Sequence, residues 1–365
     1  MCSRRLVAWL ARGSRHLGLT VALLALFIVL SVWAPNFLTA HNLLNVLRQV
    51  SFLAIVAWGM TLVIIGAEID VSVGSAVAFH GTLLGVLITQ AELSFGLAIP
   101  LVLLAGAAVG ALAGGIRAIF NIPSFIVTLG LFSALRGAGL LLTDAIPQAL
   151  TSSNFQFWGS GRVAGIPVPA LIMVASFLLF WFIATRTTFG RSVYAVGGNA
   201  EAARLSGIRV TPIRVALFAI TGLLSAVSGV LLAASLGAGN PSVSQGLEFD
   251  IIAAVIVGGT NLYGGRGSMV GTALGVLLIG MLQNGLVLLG VSQYAQGVAR
   301  GVVILFAVLI GSARVRQASR RTFIRLVTLL PGVGRPAPGG ESAHDPSPPH
   351  EELAWTGDVG RKEGG

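Results

Sequence analysis

A chain of 365 residues that is 55% hydrophobic and only 10% charged has too little polar surface to coat a water-soluble body, since soluble domains carry about 25% charged residues. Its mean hydropathy is +0.88 and 48 of its residues are glycine. The net charge of +10 does not point to nucleic acid, because the basic residues fall in the gaps between long apolar runs, where topology signals lie.

Of the 23 basic residues, the only lysine is Lys362, followed by Glu363. A phosphate-binding loop needs Lys followed by Ser or Thr after a glycine-rich turn, so a P-loop nucleotidase is excluded, and lysine-based covalent chemistry with it. The single cysteine, Cys2, excludes an internal disulfide and a cysteine metal cluster. No GxSxG or HExxH motif occurs, and the five histidines are scattered. These absences argue against an enzyme.

The basic segment 1–16 leads into the apolar run 17–34. That run exceeds a usual signal-peptide core, lacks a small-x-small cleavage site and is followed by more such runs, so it reads as a retained first membrane helix. Further apolar stretches fall at about 50–66, 72–90, 95–116, 122–143, 168–185, 213–237, 249–263, 268–290 and 297–312, ten in all, the second and eighth being short. The expected fold is an all-α polytopic membrane protein of about ten spans, some short or broken, over residues 17–312. With both termini in the cytoplasm the arginines collect inside, including Arg117, Arg186, Arg191, Arg204, Arg209, Arg214 and Arg266. The outside takes few, with Glu92, Asp144, Glu248 and Asp250.

An outer loop at 144–167 carries Phe155, Phe157 and Trp158, and the inner loop 186–212 is the longest polar stretch within the membrane region. Past residue 313 a basic segment suited to anionic headgroups gives way to a Pro-, Gly- and acid-rich tail expected to be disordered. Residues 62–75, LVIIGAEIDVSVGS, are echoed by AVIVGGTNLYGGRGS at 254–268, and GTLLGVLI at 81–88 by GTALGVLL at 271–278. A duplicated, glycine-interrupted segment marks the transport site in many carriers.

Glu68 and Asp70 stand between two apolar runs. Charges in hydrocarbon cost roughly 2.5–3.5 kcal/mol on insertion scales, so such residues face a cavity or a partner. Two readings stand together. One is a polar constriction on a solute path, with Gly66 and Gly74 letting the chain bend. The other is an inner loop in which Asp70 or Ser72 caps the next helix. Asn121 opens a cap and entry turn before the fifth helix, or joins Ser72 and Gly74 on the solute path. Arg136, within that helix, must find a carboxylate or carbonyls. His80, Gln283 and Asn284 are interhelical hydrogen-bond partners or solute contacts. In the inner loop, Glu201, Ala202, Ala203, Arg204 and Gly207 fit a short helix over about 199–206. Gly207 ends it in a left-handed turn, and the helix is free to plug into a partner's groove.

From about residue 36 to 312 the chain resembles the membrane permeases of bacterial ABC importers, in the branch serving ribose, galactose, xylose and related solutes. NFLTAHNLLNVLRQVS, GAEIDVSVGS, NIPSFIVTLG, FGRSVYAVGGNAEAARLSGI and IAAVIVGGTNLYGGRGSMVGT carry the resemblance. Ala67-Glu68 replaces the Gly-Gly usual before the buried Asp, and Asn261 replaces a usual Ser or Thr. The resemblance implies a bacterial inner-membrane subunit paired with a second permease copy. It implies ATP-binding subunits beneath that hold ATP and Mg, and an extracytoplasmic solute-binding protein above. Glu201 to Gly207 would then couple to the ATPase, and the chain itself would hold no cofactor. The rival is an ion-coupled carrier using Glu68 and Asp70; within the ABC class, a nucleoside, polyol or autoinducer is the alternative solute.

Overall fold

The computed structural model describes the backbone of residues 2–311 and side chains from Leu17 to Val302, with Leu305. The expected tail, 313–365, and the side chains of segment 1–16 lie outside the described residues.

Among the described residues, thirteen α-helices and four two-residue strands follow in order. Helices α1 (Cys2–Trp33), α2 (Ala40–Ile65), α3 (Val73–Thr89), α4 (Phe95–Phe120) and α5 (Ser124–Leu141) come first. The connection after α5 holds β1 (Gln148–Ala149), α6 (Ser153–Ser160), β2 (Arg162–Val163) and β3 (Ile166–Pro167). Next are α7 (Val168–Arg186), α8 (Thr188–Gly198), α9 (Ala200–Leu205) and α10 (Val210–Leu236). The chain closes with β4 (Ala238–Gly239), α11 (Leu247–Val257), α12 (Met269–Leu288) and α13 (Gln293–Gly311). Each of the ten apolar stretches overlies one helix.

Six helices, α2, α4, α5, α7, α10 and α12, are long and apolar enough to cross a membrane, and α3 and the segment Leu17–Trp33 are shorter apolar helices. Residues 50–65 of α2 are buried throughout, the mark of a helix that is apolar all round and sits in the core. Around it pack α7, α10, α11 and α12. Helices α4, α5 and α7 turn large apolar side chains outward, Leu104, Ile126 and Leu178 among them, as a lipid solvent permits.

The longest helix–helix seam joins α4 to α10. Gly106, Gly110 and Gly114, four residues apart, share one face of α4, and a Cβ on any of them would strike α10 backbone near Gly222, Phe218 or Val215. This small-residue spacing lets two backbones touch, which drives association in lipid, where apolar surface alone gives no preference between helix and solvent.

Three departures from the expected pattern have local causes. Helix α2 starts at Ala40, ten residues before the apolar stretch, because Thr39 caps it by accepting from the Asn42 N–H at 3.3 Å. Helix α6 forms in the 144–167 connection, where Phe155 stacks on Phe95 at 4.6 Å. Helix α8 is amphipathic: Val193 and Val196 are buried, and the Thr187 hydroxyl accepts the Gly190 N–H at 3.1 Å.

Candidate functional site

Three irregular segments interrupt the helices, and the site is built from them. In the first, residues 66–72, the chain leaves α2 through Ala67 at φ +60°, a left-handed conformation that favours glycine. The bend therefore sits on the residue that replaces the usual glycine. It does not sit on Gly66 or Gly74, which keep ordinary conformations. Beyond it the extended backbone finds hydrogen-bond partners on α5: the Ile69 N–H donates to the Ser124 hydroxyl at 3.0 Å and the Val71 N–H to the Thr128 hydroxyl at 3.2 Å. Two side chains thus do for this stretch what a neighbouring strand would do.

Asp70 is buried at 3% exposure, and its Oδ1 accepts from the Ser72 N–H at 2.9 Å and from the Ser72 hydroxyl at 2.6 Å. This fixes the turn into α3, with Ser72 at the cap position. Glu68 is 2% exposed and is a partnered carboxylate. It accepts from Arg117 Nε at 2.9 Å, and Arg214 Nε lies 2.7 Å from its other oxygen. Glu68 thereby ties the α2–α3 break to the last turn of α4 and the first turn of α10. Asn121, left-handed at the end of α4, accepts from Arg117 Nη1 at 3.1 Å.

The second segment, 237–246, follows α10 and turns back into the helical body. Its first residues pair with the outer loop, Ala149 opposite Ala238 and Gln148 opposite Gly239. Arg136 of α5 finds its carbonyls here, donating to Pro241 O at 2.9 Å and Val243 O at 2.8 Å. The segment ends at Gly246, left-handed, where α11 begins. Helix α11 has 11 residues, about 16 Å of rise, roughly half the ~30 Å of a hydrocarbon core. Glu248 and Asp250, assigned to the outer side by counting crossings, lie buried in its first turn at 2% and 5% exposure. The Glu248 carboxylate closes on Gly74, where a Cβ would collide with it. Gly74 is thus needed for close approach, and the N-termini of the two short helices α3 and α11 meet there. Half-helix N-termini that meet inside a membrane body are a recurrent element of transport sites.

The third segment, 258–267, is the echo of the first, and the structure brings the two together. The Gly265 N–H donates to Ile65 O at 2.8 Å, and left-handed Gly264 rests on Ala67. Asn261 shapes the turn by accepting the Tyr263 N–H at 3.3 Å and donating to Gly264 O at 3.3 Å. Helix α8 covers both echoes at once. Gly197 seats against Ile65 O and Gly265 N, and the Tyr194 hydroxyl donates to Gly267 O at 3.1 Å.

Helix α9 follows directly. Asn199 caps it by accepting the Ala202 N–H at 3.0 Å, and Gly207 closes it at φ +83°. Ala203 is buried, whereas Glu201 and Arg204 are exposed and paired at 2.6 Å. That hydrogen bond holds the Glu201 carboxyl below its ordinary range and raises the Arg204 guanidinium. Leu205 is 76% exposed, a large apolar side chain that nothing covers among the described residues. Asn284 lies apart from these residues, in a reciprocal amide pair with Asn42 at 2.9 and 3.0 Å that joins α12 to α2.

Residues 42–308, which span all three segments, match the family described as branched-chain amino acid transport system / permease component. The chain belongs to this family of transport permeases. The probable ABC transporter permease protein YphD of Escherichia coli K12 is 51% identical over 86% of this permease and 94% of that protein. The ribose import permease protein RbsC of the same strain is 42% identical over 80% of this permease and 92% of its own length. The xylose transport system permease protein XylH, also from that strain, is 33% identical over 82% and 92% of the two chains. No solved structure matches. The permease is a helical, multi-pass membrane protein, and Glu248, Asp250 and Arg300 are charged residues that sequence reasoning did not place in the site.

Proposed function

We propose that this permease is the membrane-embedded subunit of an ATP-driven importer that admits a small sugar-like solute handed over by an extracytoplasmic binding protein. Relatives over most of its length are named as a probable ABC transporter permease, a ribose import permease and a xylose transport system permease. In this reading the chain crosses the inner membrane about ten times with both ends in the cytoplasm. It works beside a second permease copy, and ATP and Mg are bound by a separate ATPase. In the same reading the tail 313–365 belongs to the cytoplasmic side, and its basic segment suits anionic headgroups.

The observation that carries the reading is mechanical. The exposed helix α9 continues from α8, and α8 is seated on both echo segments through Gly197 and Tyr194. A push on α9 therefore reaches Ile65, Ala67 and Gly265 together, and through Glu68–Arg214 it reaches the start of α10. ATP-driven closure beneath the membrane would lever these breaks and open the path in alternating access. The ion-coupled rival needs titratable carboxylates free to exchange ions, and Glu68 is engaged by two arginines.

The test is uptake into proteoliposomes holding the permease with its partner ATPase and binding protein. Uptake is expected to need ATP and to be absent with a proton gradient alone; gradient-driven uptake without the ATPase would sink the proposal. In the same assay Glu201→Lys is expected to lower uptake about tenfold while ATP hydrolysis persists, because it reverses a charge on the face offered to the partner. Gly207→Pro should do likewise, since proline cannot adopt a positive φ. Normal uptake by both variants would remove α9 from the coupling route.

Asp70→Asn keeps the oxygen that accepts from Ser72 and removes the charge, so a purely structural role predicts a loss of only about 1 kcal/mol. For a residue on the solute path, uptake falls further than membrane abundance does. Equal falls in both would leave Asp70 a turn residue only.

A further inference from the structure

Between α2, α11, α12 and α13 lies a cavity of about 180 Å³. Half of its wall is polar: Gln49 from α2, Asp250 from α11, Gln283 from α12, and Gln296 and Arg300 from α13. The other half is aliphatic, with Leu286 typical. These polar residues come from 3 to 9 residues inside the helix ends at Ala40, Leu247, Leu288 and Gln293, which puts the cavity about 5–14 Å from those ends at 1.5 Å per residue. Four helices of an otherwise apolar body thus converge their amides and charges on one space. Stability does not account for this, because a buried ion pair is on balance no better than a well-packed apolar replacement.

The chemistry of the wall selects its occupant. Arg300 Nε stands 2.7 Å from Asp250 Oδ1, so the two charges cancel. Gln283 also hydrogen-bonds the Asp250 carboxylate. The remaining polar groups are amides, each offering both donors and an acceptor. Among the described residues nothing bonds the Gln49 amide. Net neutrality leaves no spare cation for a phosphate or carboxylate and no spare anion for an ammonium. Hydroxyls, which both give and accept, match amides and a paired carboxylate, and an aliphatic wall suits C–H faces.

Arg300 and Gln296 also line a larger, open hollow of about 880 Å³ on the far side of α13's first turns, together with Gln245, Phe249 and Gln293. Gly246 permits this position, since a Cβ there would collide with the guanidinium. Arg300 therefore stands between an open hollow and a sheltered polar cavity.

We propose that this cavity is a transit site for a neutral polyhydroxylated solute, with the Arg300–Asp250 pair as its wall toward the open hollow. The proposal rests on the sugar reading above and adds the residues that meet the sugar.

The permease reconstituted with its ATPase and binding protein tests it, with D-ribose and D-xylose as probes. Gln283→Leu and Gln49→Leu are each expected to lower sub-saturating uptake, normalised to membrane abundance, roughly three- to tenfold, the value of one or two hydrogen bonds. They are also expected to change the ribose-to-xylose ratio, which the untouched binding protein would otherwise fix. As a second readout, Gln49→Cys in a Cys2→Ser background is expected to react with a maleimide and to be protected by the transported sugar during turnover. Unchanged ratios, or labelling that the sugar does not slow, would overturn the cavity as a transit site while wild-type sugar uptake left the importer reading standing. A wild-type complex that took up neither sugar would overturn both.

Discussion

Gly110→Leu is expected to leave little folded permease in the membrane, while Gly115→Leu, five residues beyond it on the same helix, is expected to be tolerated. A Cβ at Gly110 would collide with Phe218 O on α10, a backbone atom that cannot swing aside, whereas at Gly115 nothing lies within 4 Å. Leucine at Gly110 must separate α4 from α10, and the loss spreads along the seam to Gly106, Gly114 and Gly222. Overpacking in a filled core costs about 1–3 kcal/mol when side chains can yield. Here backbone meets backbone, so the cost lies at or above that range. The α4–α10 contact has no hydrophobic drive to fall back on in lipid, where close packing supplies the association. Comparing the monodisperse fraction and thermal midpoint of the two variants in detergent checks this. Equal behaviour would mean that the glycine seam does not hold these helices together.

Much of the architecture is legible in the chain because lipid leaves the backbone so few options. A segment that cannot hydrogen-bond to solvent must close its bonds within a helix, so each apolar run becomes one. The boundaries are less legible, since the polar first turns of α2, with Arg48 and Gln49, carry no hydropathy signal and depend on the Thr39 cap. The G-x3-G-x3-G spacing of α4 is in plain sight at 106, 110 and 114, but in a chain with 48 glycines its meaning depends on which helix lies opposite. Within the site, the left-handed Gly207 and the α9 helix follow from local chemistry alone. Glu248 and Asp250 were hidden because counting crossings treats the residues after a span as loop. The available sign was the shortness of the eighth apolar stretch, here an 11-residue helix whose first turn is buried. Partners separated by 49 positions or more, as Glu68 and Arg117 are, have no local signature. The sequence marks the costly carboxylate, and only the packing supplies its cations.

That carboxylate is where the second large effect is expected. Glu68→Ala would leave Arg117 and Arg214, 13% and 19% exposed, facing one another without an anion. Removing one member of a buried pair costs about 3–5 kcal/mol, and the partial exposure of both guanidiniums puts this site near the low end, about 3 kcal/mol. Glu68→Gln keeps the shape and an acceptor oxygen but not the charge, so its loss should fall between Ala and wild type. Removing the excess cation as well gives the sharper comparison. If the cost of Glu68→Ala is mainly uncompensated positive charge, then Glu68→Ala combined with Arg214→Ala will be more stable than Glu68→Ala alone, a coupling that a double-mutant cycle on thermal midpoints reads directly. Additive losses would mean that the triad acts through packing of the arginine stems instead. The same cycle bears on transport. Arg214 lies in the first turns of α10, directly after the exposed helix α9, and Glu68 lies on the break that α8 covers. An ion pair across those two points makes the inner loop and the α2–α3 break move as one body. Cutting it is therefore expected to lower uptake by more than the fall in abundance, even in the charge-balanced double variant whose stability has been restored.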